Sequence, residues 1–154
     1  MTTEELISRI RVIPDFPTKG IMFQDVTTLF KDPDCLSELS DRIYDLYKDK
    51  GITKVVGIES RGFVLDAIVA SRLGAGFVPA RKPGKLPAEK FTVEFAKEYA
   101  TGGSFAAAND LVRMFNPAKV YLNCIINLKD CPRRPNYPAD LDLTSIIEIN
   151  EFQD

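Results

Sequence analysis

Glu59, Ser60 and Arg61 stand together immediately after a short, β-branched apolar run, Lys54-Val55-Val56-Gly57-Ile58, and just before a glycine that opens a second apolar segment. An acid, a hydroxyl and a guanidinium at the end of a buried strand occupy the place where open α/β sheets bind ligands, the crevice beyond the strands' carboxyl ends. Read plainly, the same turn is a strand-to-helix loop capped by Glu59 or Ser60. Two further clusters sharpen the choice. Arg81, Lys82 and Lys85 crowd the loop Arg-Lys-Pro-Gly-Lys-Leu-Pro, where a guanidinium offers a fixed fork to phosphate oxygens and the lysines add mobile charge; the alternative is a solvated surface turn. Thr101-Gly102-Gly103-Ser104 opens a helix, so its free amides and two hydroxyls can approach an anion, although the same string also serves simply to cap helices. Arg61 tips the balance, because positive charge at the ends of two strands is what a diphosphate spanning a crevice requires. Glu98 lies between the basic loop and the Gly-Gly turn. On a loop that closes over substrate it could exchange a proton with a nitrogen heterocycle; beside Lys97 it could equally be an exposed glutamate.

Composition narrows the chemistry. The 154 residues contain no histidine, which removes the commonest general base, Ser-His and Cys-His nucleophiles and most zinc sites. Carboxylates, arginine, lysine, hydroxyls or a carboxylate-held cation must do the work. A net charge of -2 leaves no electrostatic footprint for nucleic acid or a membrane surface, so neither is expected as a partner. Cys35, Cys124 and Cys131 form no CxxC pair, and an odd count argues against a disulfide framework, which points to a reducing, cytoplasmic setting. No long apolar span or N-terminal apolar core predicts export or insertion.

The elements that must hold these clusters follow from periodicity. Leu6, Ile7 and Ile10 predict a short helix over 4–12 that Pro14 ends, and Ile21 to Val26 a brief extended segment. Asp32-Pro33 starts a helix in which Leu36, Leu39, Ile43 and Leu46 recur at steps of three and four until Gly51. A strand over 53–58, a helix over 63–73 with Phe63, Ile68, Val69 and Leu73 inward, and a parallel strand over 76–80 come next. The segment 88–99 carries no clear period. A helix with Ala106, Ala107, Leu111 and Met114 runs from the Gly-Gly turn to Asn116, followed by strands over 118–128 and 143–149. Strands alternating with helices predict a single α/β domain over 1–154, with a mostly parallel sheet flanked by helices.

The segments IPDFPTKGIMFQDVTTLF, GITKVVGIESRGF, LGAGFVPARKPGKLP and ATGGSFAAANDLV resemble the adenine phosphoribosyltransferases, of the type I phosphoribosyltransferase fold, from residue 10 to about 130. The resemblance implies transfer of a 5-phosphoribosyl group from phosphoribosyl diphosphate to adenine in purine salvage, giving AMP and diphosphate, with Mg²⁺ and in a homodimer. Carried over by position, Glu59, Ser60 and Arg61 form the diphosphate loop, with Arg81, Lys82 and Lys85 adding charge, in part across the dimer. Ala100, Thr101, Gly102, Gly103 and Ser104 hold the 5-phosphate. Met22, Phe23 and Gln24 match the adenine hood of residues 1–30, Phe23 stacking on the base. Glu98, with Tyr99, matches the mobile loop of residues 81–99 as the acid or base at the purine nitrogen, and Arg61 joins it in catalysis.

The chain departs from that pattern at one place. In the family a buried strand ending in two adjacent acids precedes Ala-Thr-Gly-Gly, whereas here Glu98-Tyr99 runs directly into Ala100-Thr101-Gly102-Gly103. Those acids take the ribose hydroxyls and stabilise positive charge on the sugar. Their absence keeps a second reading open, a catalytically impaired nucleotide- or purine-binding homologue, and predicts an α/β sheet lacking one central strand.

Overall fold

The computed structural model describes residues 1–87, 89–93, 102–133 and 143–151. Helix α1 (Thr3–Ser8) is closed by a capping box: the Thr2 hydroxyl accepts from the Glu5 amide at 3.2 Å and the Glu5 carboxylate from the Thr2 amide at 2.7 Å. The expected helix over 4–12 therefore stops early. Arg11–Pro14 instead form strand β1, antiparallel to β2 (Met22–Asp25) with Val12 opposite Gln24. β-branched Val12 and Ile13 suit a strand, and Arg11 is fixed across the pair by the Asp25 carboxylate, so tertiary pairing overrides the helical spacing of Leu6, Ile7 and Ile10.

A short helix α2 (Thr27–Lys31) leads into α3 (Pro33–Tyr47), where Asp32 caps the amides of Asp34 and Cys35 and proline occupies the first turn. The buried stripe of α3 is Cys35, Leu39, Ile43 and Tyr47, at steps of four; Leu36 is half-buried and Leu46 exposed. These side chains join Leu6, Val26, Leu29, Leu65, Val69, Leu128, Ile147 and Ile149 in one core.

Strand β3 (Lys54–Ile58), helix α4 (Gly62–Leu73) and strand β4 (Gly76–Ala80) make a parallel βαβ unit, in register from Lys54 opposite Gly76 to Ile58 opposite Ala80. Leu65, Val69 and Ala70 are the fully buried residues of α4, with Ile68 half-buried. Helix α5 (Gly103–Arg113) buries Ala106 and Ala107 and leaves Met114 exposed just beyond its end. Strand β5 (Leu122–Leu128) begins later than expected and pairs in parallel with β6 (Leu143–Ile149), Leu122 opposite Leu143. The Tyr47 hydroxyl ties α3 to this pair through Thr144 Oγ1 at 2.7 Å.

The α/β class holds, but the sheet is divided. Among the described residues β3 pairs only with β4 and β5 only with β6, so each parallel pair keeps an unpaired edge. Parallel strands are ordinarily covered on both sides. Six of the seven residues of β5 are only half-buried.

Candidate functional site

The register of β3 and β4 places their carboxyl ends side by side, and the Glu59 amide prolongs the ladder by donating to the Ala80 carbonyl at 2.9 Å. The Glu59-Ser60-Arg61 turn and the basic loop are thereby brought together, as anticipated. The Glu59 carboxylate accepts from the Lys82 amide at 2.7 Å and lies 3.6 Å from the Arg81 guanidinium. The Lys82 amide, with the charges of Arg81 and Lys82, holds its acid below the usual carboxylate range. Glu59 is therefore an ionised brace between two strand ends. Arg81 also donates to the Lys85 carbonyl at 3.2 Å and lies 5.9 Å from the Phe63 ring, which curls the loop back over the start of α4.

Arg61 is the residue before α4, with a helical backbone and no capping bond from its side chain. Its guanidinium lies 4.6 Å over the ring of Phe23, a cation–π contact. That contact links the tip of β3 to the β1–β2 hairpin, so Phe23 is brought to the same place as Arg61. Phe16 packs its edge on Phe23 with centroids 5.0 Å apart. Side chains alternate along a strand, so Met22 and Gln24 face away from Arg61. Gln24 is buried; its Nε2 donates to the carbonyls of Met22 and Glu151, at 3.3 and 3.5 Å, while its Oε1 has no partner among the described residues. Both neighbours can only accept, which settles the orientation of the amide. Burial pushes the Asp25 acid up, but Arg11 and the Thr27 amide more than offset this, leaving it below the usual range.

At the third cluster Gly102 precedes α5 with φ +80°, a left-handed conformation in which a Cβ would be strained. The first-turn amides of α5 have no partner within the helix, and Gly103 is buried while Ser104 is exposed. No hydrogen bond or ion pair between described residues joins Gly102, Gly103 or Ser104 to the Glu59–Arg61 turn. Glu98, Ala100 and Thr101 lie outside the described residues.

Glu151 belongs to none of the three clusters. It follows β6 and carries no motif, yet its carboxylate accepts from the Met22 amide across 129 positions of chain at 3.0 Å.

No protein-family profile matches the chain. It is 49% identical to an adenine phosphoribosyltransferase of Bacteroides thetaiotaomicron, covering 97% of this chain and 99% of that one, and 46% identical to that of Phocaeicola vulgatus, covering 97% and 100%. The first alignment runs over 174 positions against a chain of 154 residues, so at least twenty of its positions have no residue here. Among solved structures it resembles adenine phosphoribosyltransferase from Thermoanaerobacter pseudethanolicus, at 32% identity and a TM-score of 0.88, covering 96% of this chain and 100% of that one. It also resembles the Giardia lamblia enzyme complexed with 9-deazaadenine, at 33% identity and a TM-score of 0.82, covering 97% and 99%. With relatives this similar over nearly their whole length, the chain belongs to the adenine phosphoribosyltransferase family.

Proposed function

We propose that the chain transfers the 5-phosphoribosyl group of 5-phosphoribosyl diphosphate to adenine, yielding AMP and diphosphate. The observation that carries this reading is the position of Arg61, which belongs to the turn beside the basic loop and at the same time covers Phe23 of the hairpin. One side chain thus connects the cations suited to a departing diphosphate with the ring suited to a purine.

In the proposed reaction the bond from the anomeric carbon to the diphosphate oxygen breaks, its electron pair leaving with the diphosphate, and a bond to a ring nitrogen of adenine forms. Arg61, Arg81, Lys82 and Lys85 meet the leaving charge, which cations stabilise more in the transition state than in the ground state. Ala100 to Ser104 hold the 5-phosphate, and Glu98 takes the proton the purine nitrogen gives up. In the base hood Phe23 offers its ring, and Met22 and Gln24, whose side chains face the other way, contribute their backbone. Ser60 supplies a hydroxyl to the diphosphate, and Glu59 braces the two loops.

Mg²⁺ belongs to the proposal as an ion carried by the substrate's own oxygens, the usual manner of its binding. Glu59, the acid of the turn, is itself engaged with Lys82 and Arg81. Bound to the substrate, the ion would neutralise charge on the leaving diphosphate. A homodimer and a cytoplasmic setting complete the reading; no helix among the described residues is long and apolar enough to cross a membrane.

The alignment positions that have no residue in this chain favour a second reading, a homologue that binds nucleotide or purine without turnover. A coupled assay of AMP formation, run beside calorimetry with AMP and phosphoribosyl diphosphate, separates the two. Product formation supports the transferase. Binding without product supports the second reading, and binding of neither ligand overturns both.

A further inference from the structure

Glu151 stands just beyond the end of β6 and meets the β1–β2 hairpin at the Met22 amide and the Gln24 side chain. Its carboxylate accepts from the Met22 amide at 3.0 Å and from the Cys131 thiol at 3.2 Å. Its backbone carbonyl accepts from Gln24 Nε2 at 3.5 Å, and its amide donates to Asp130 Oδ1 at 2.7 Å. Burial, then Glu151 and Asp130, push the Cys131 thiol up to about 12, so it stays protonated and serves as a donor at neutral pH. Asp130 and Cys131 follow the last residue of β5, and Glu151 follows that of β6, so one residue ties the hairpin to the carboxyl ends of both strands.

The two faces of β2 are thus held differently. On one, Phe23 meets Arg61 and Phe16. On the other, Met22 and Gln24 are held by Glu151. An antiparallel hairpin of two four-residue strands has little stability of its own, so the position of Phe23 depends on what its reverse side is fastened to.

We propose that Glu151 is a positioning residue for base binding, which holds the Met22–Gln24 segment from behind and so sets where Phe23 meets the purine. The proposal rests on the transferase reading for the identity of the base, but the clamp itself is independent of it. A charged acceptor on a backbone amide forms one of the stronger hydrogen bonds. Its loss should therefore cost roughly tenfold in base affinity, while phosphoribosyl diphosphate, held at the far loop, is spared.

Calorimetry on wild type, Glu151→Ala and Glu151→Gln tests this, with adenine titrated in the presence of phosphoribosyl diphosphate and the latter also titrated alone. Amide exchange at Met22 is followed in parallel. We expect Glu151→Ala to weaken adenine about tenfold, to change phosphoribosyl diphosphate less than about twofold and to speed exchange at Met22. Glu151→Gln keeps an acceptor oxygen and should restore most of the loss. Unchanged adenine binding in Glu151→Ala overturns the proposal, as does equal weakening of both ligands. If the wild type binds phosphoribosyl diphosphate but not adenine, the transferase reading fails instead, and exchange at Met22 still decides whether the clamp exists.

Discussion

Asp66 offers a quantitative test of the packing beneath the diphosphate turn. It lies one turn into α4, with its Oδ2 directed at the end of β3: a Cβ placed on Gly62 would meet it at 2.9 Å and one on Gly57 at 3.3 Å. No donor or counter-ion reaches it among the described residues, and burial alone raises its acid from an ordinary 3.8 to about 7. Because the folded pKa is the higher one, stability is fully present below pH 3.8 and is lost as pH rises through about 7. That gap corresponds to about 4 kcal/mol at alkaline pH, and partial access of water reduces it to about 2 to 4 kcal/mol. Asp66→Asn keeps the shape without the titration. It should therefore be more stable than wild type by about 2 to 4 kcal/mol at pH 8 and nearly equal to it at about pH 3, below the unfolded value of 3.8. Urea denaturation of both proteins at the two pH values measures this. A difference that does not change with pH would show that the carboxylate is solvated in the folded protein, and would refute the burial of the α4–β3 contact.

Three further outcomes follow from the same geometry. Arg61→Ala should weaken phosphoribosyl diphosphate by roughly tenfold to a hundredfold, from about 1.5 to 3 kcal/mol for a charged contact, and adenine by much less; equal losses in calorimetry would make Arg61 structural. Gly102→Ala must adopt a left-handed backbone, so it should cost about 1 kcal/mol of stability together with AMP affinity, read from Tm and titration. Leu39→Ala, at a fully buried position in the core, should destabilise by about 2 to 5 kcal/mol in denaturation without shifting the ratio of adenine to phosphoribosyl diphosphate affinity.

Much of the site was legible in the sequence because its chemistry is local. Glu59, Ser60 and Arg61 are consecutive, and the apolar runs over 54–58 and 76–80 are short and bounded by loops, so parallel pairing of their ends followed from period and composition. β1 was not legible. Val12 and Ile13 continue a helical pattern as readily as they start a strand, and only the partner β2, brought round by Gly20 and the Asp15 carboxylate on its amide, decides between them. The stripe of α3 shows the same limit: Leu46 fits the spacing, but the helix turns Tyr47 inward because Thr144 waits for its hydroxyl. Glu151 was invisible for a different reason, since it reaches the hairpin through the Met22 backbone amide and the Gln24 side chain, both far away in the chain, and such contacts leave no mark on residue type.

The sequence departs from the family pattern at the junction of Tyr99 with Ala100, and among the described residues the parallel strands form two separate pairs.

The central claim is that the Glu59–Arg61 turn, the loop after β4 and the start of α5 serve one ligand, with Phe23 at its base. A crystal structure of the protein with AMP bound measures this most directly. The account predicts the phosphate on the amides of Gly102 to Ser104 and the purine against the Phe23 ring, with Arg61 displaced from it or sharing its surface. A nucleotide bound away from Phe23, or a phosphate held anywhere other than the start of α5, would contradict it.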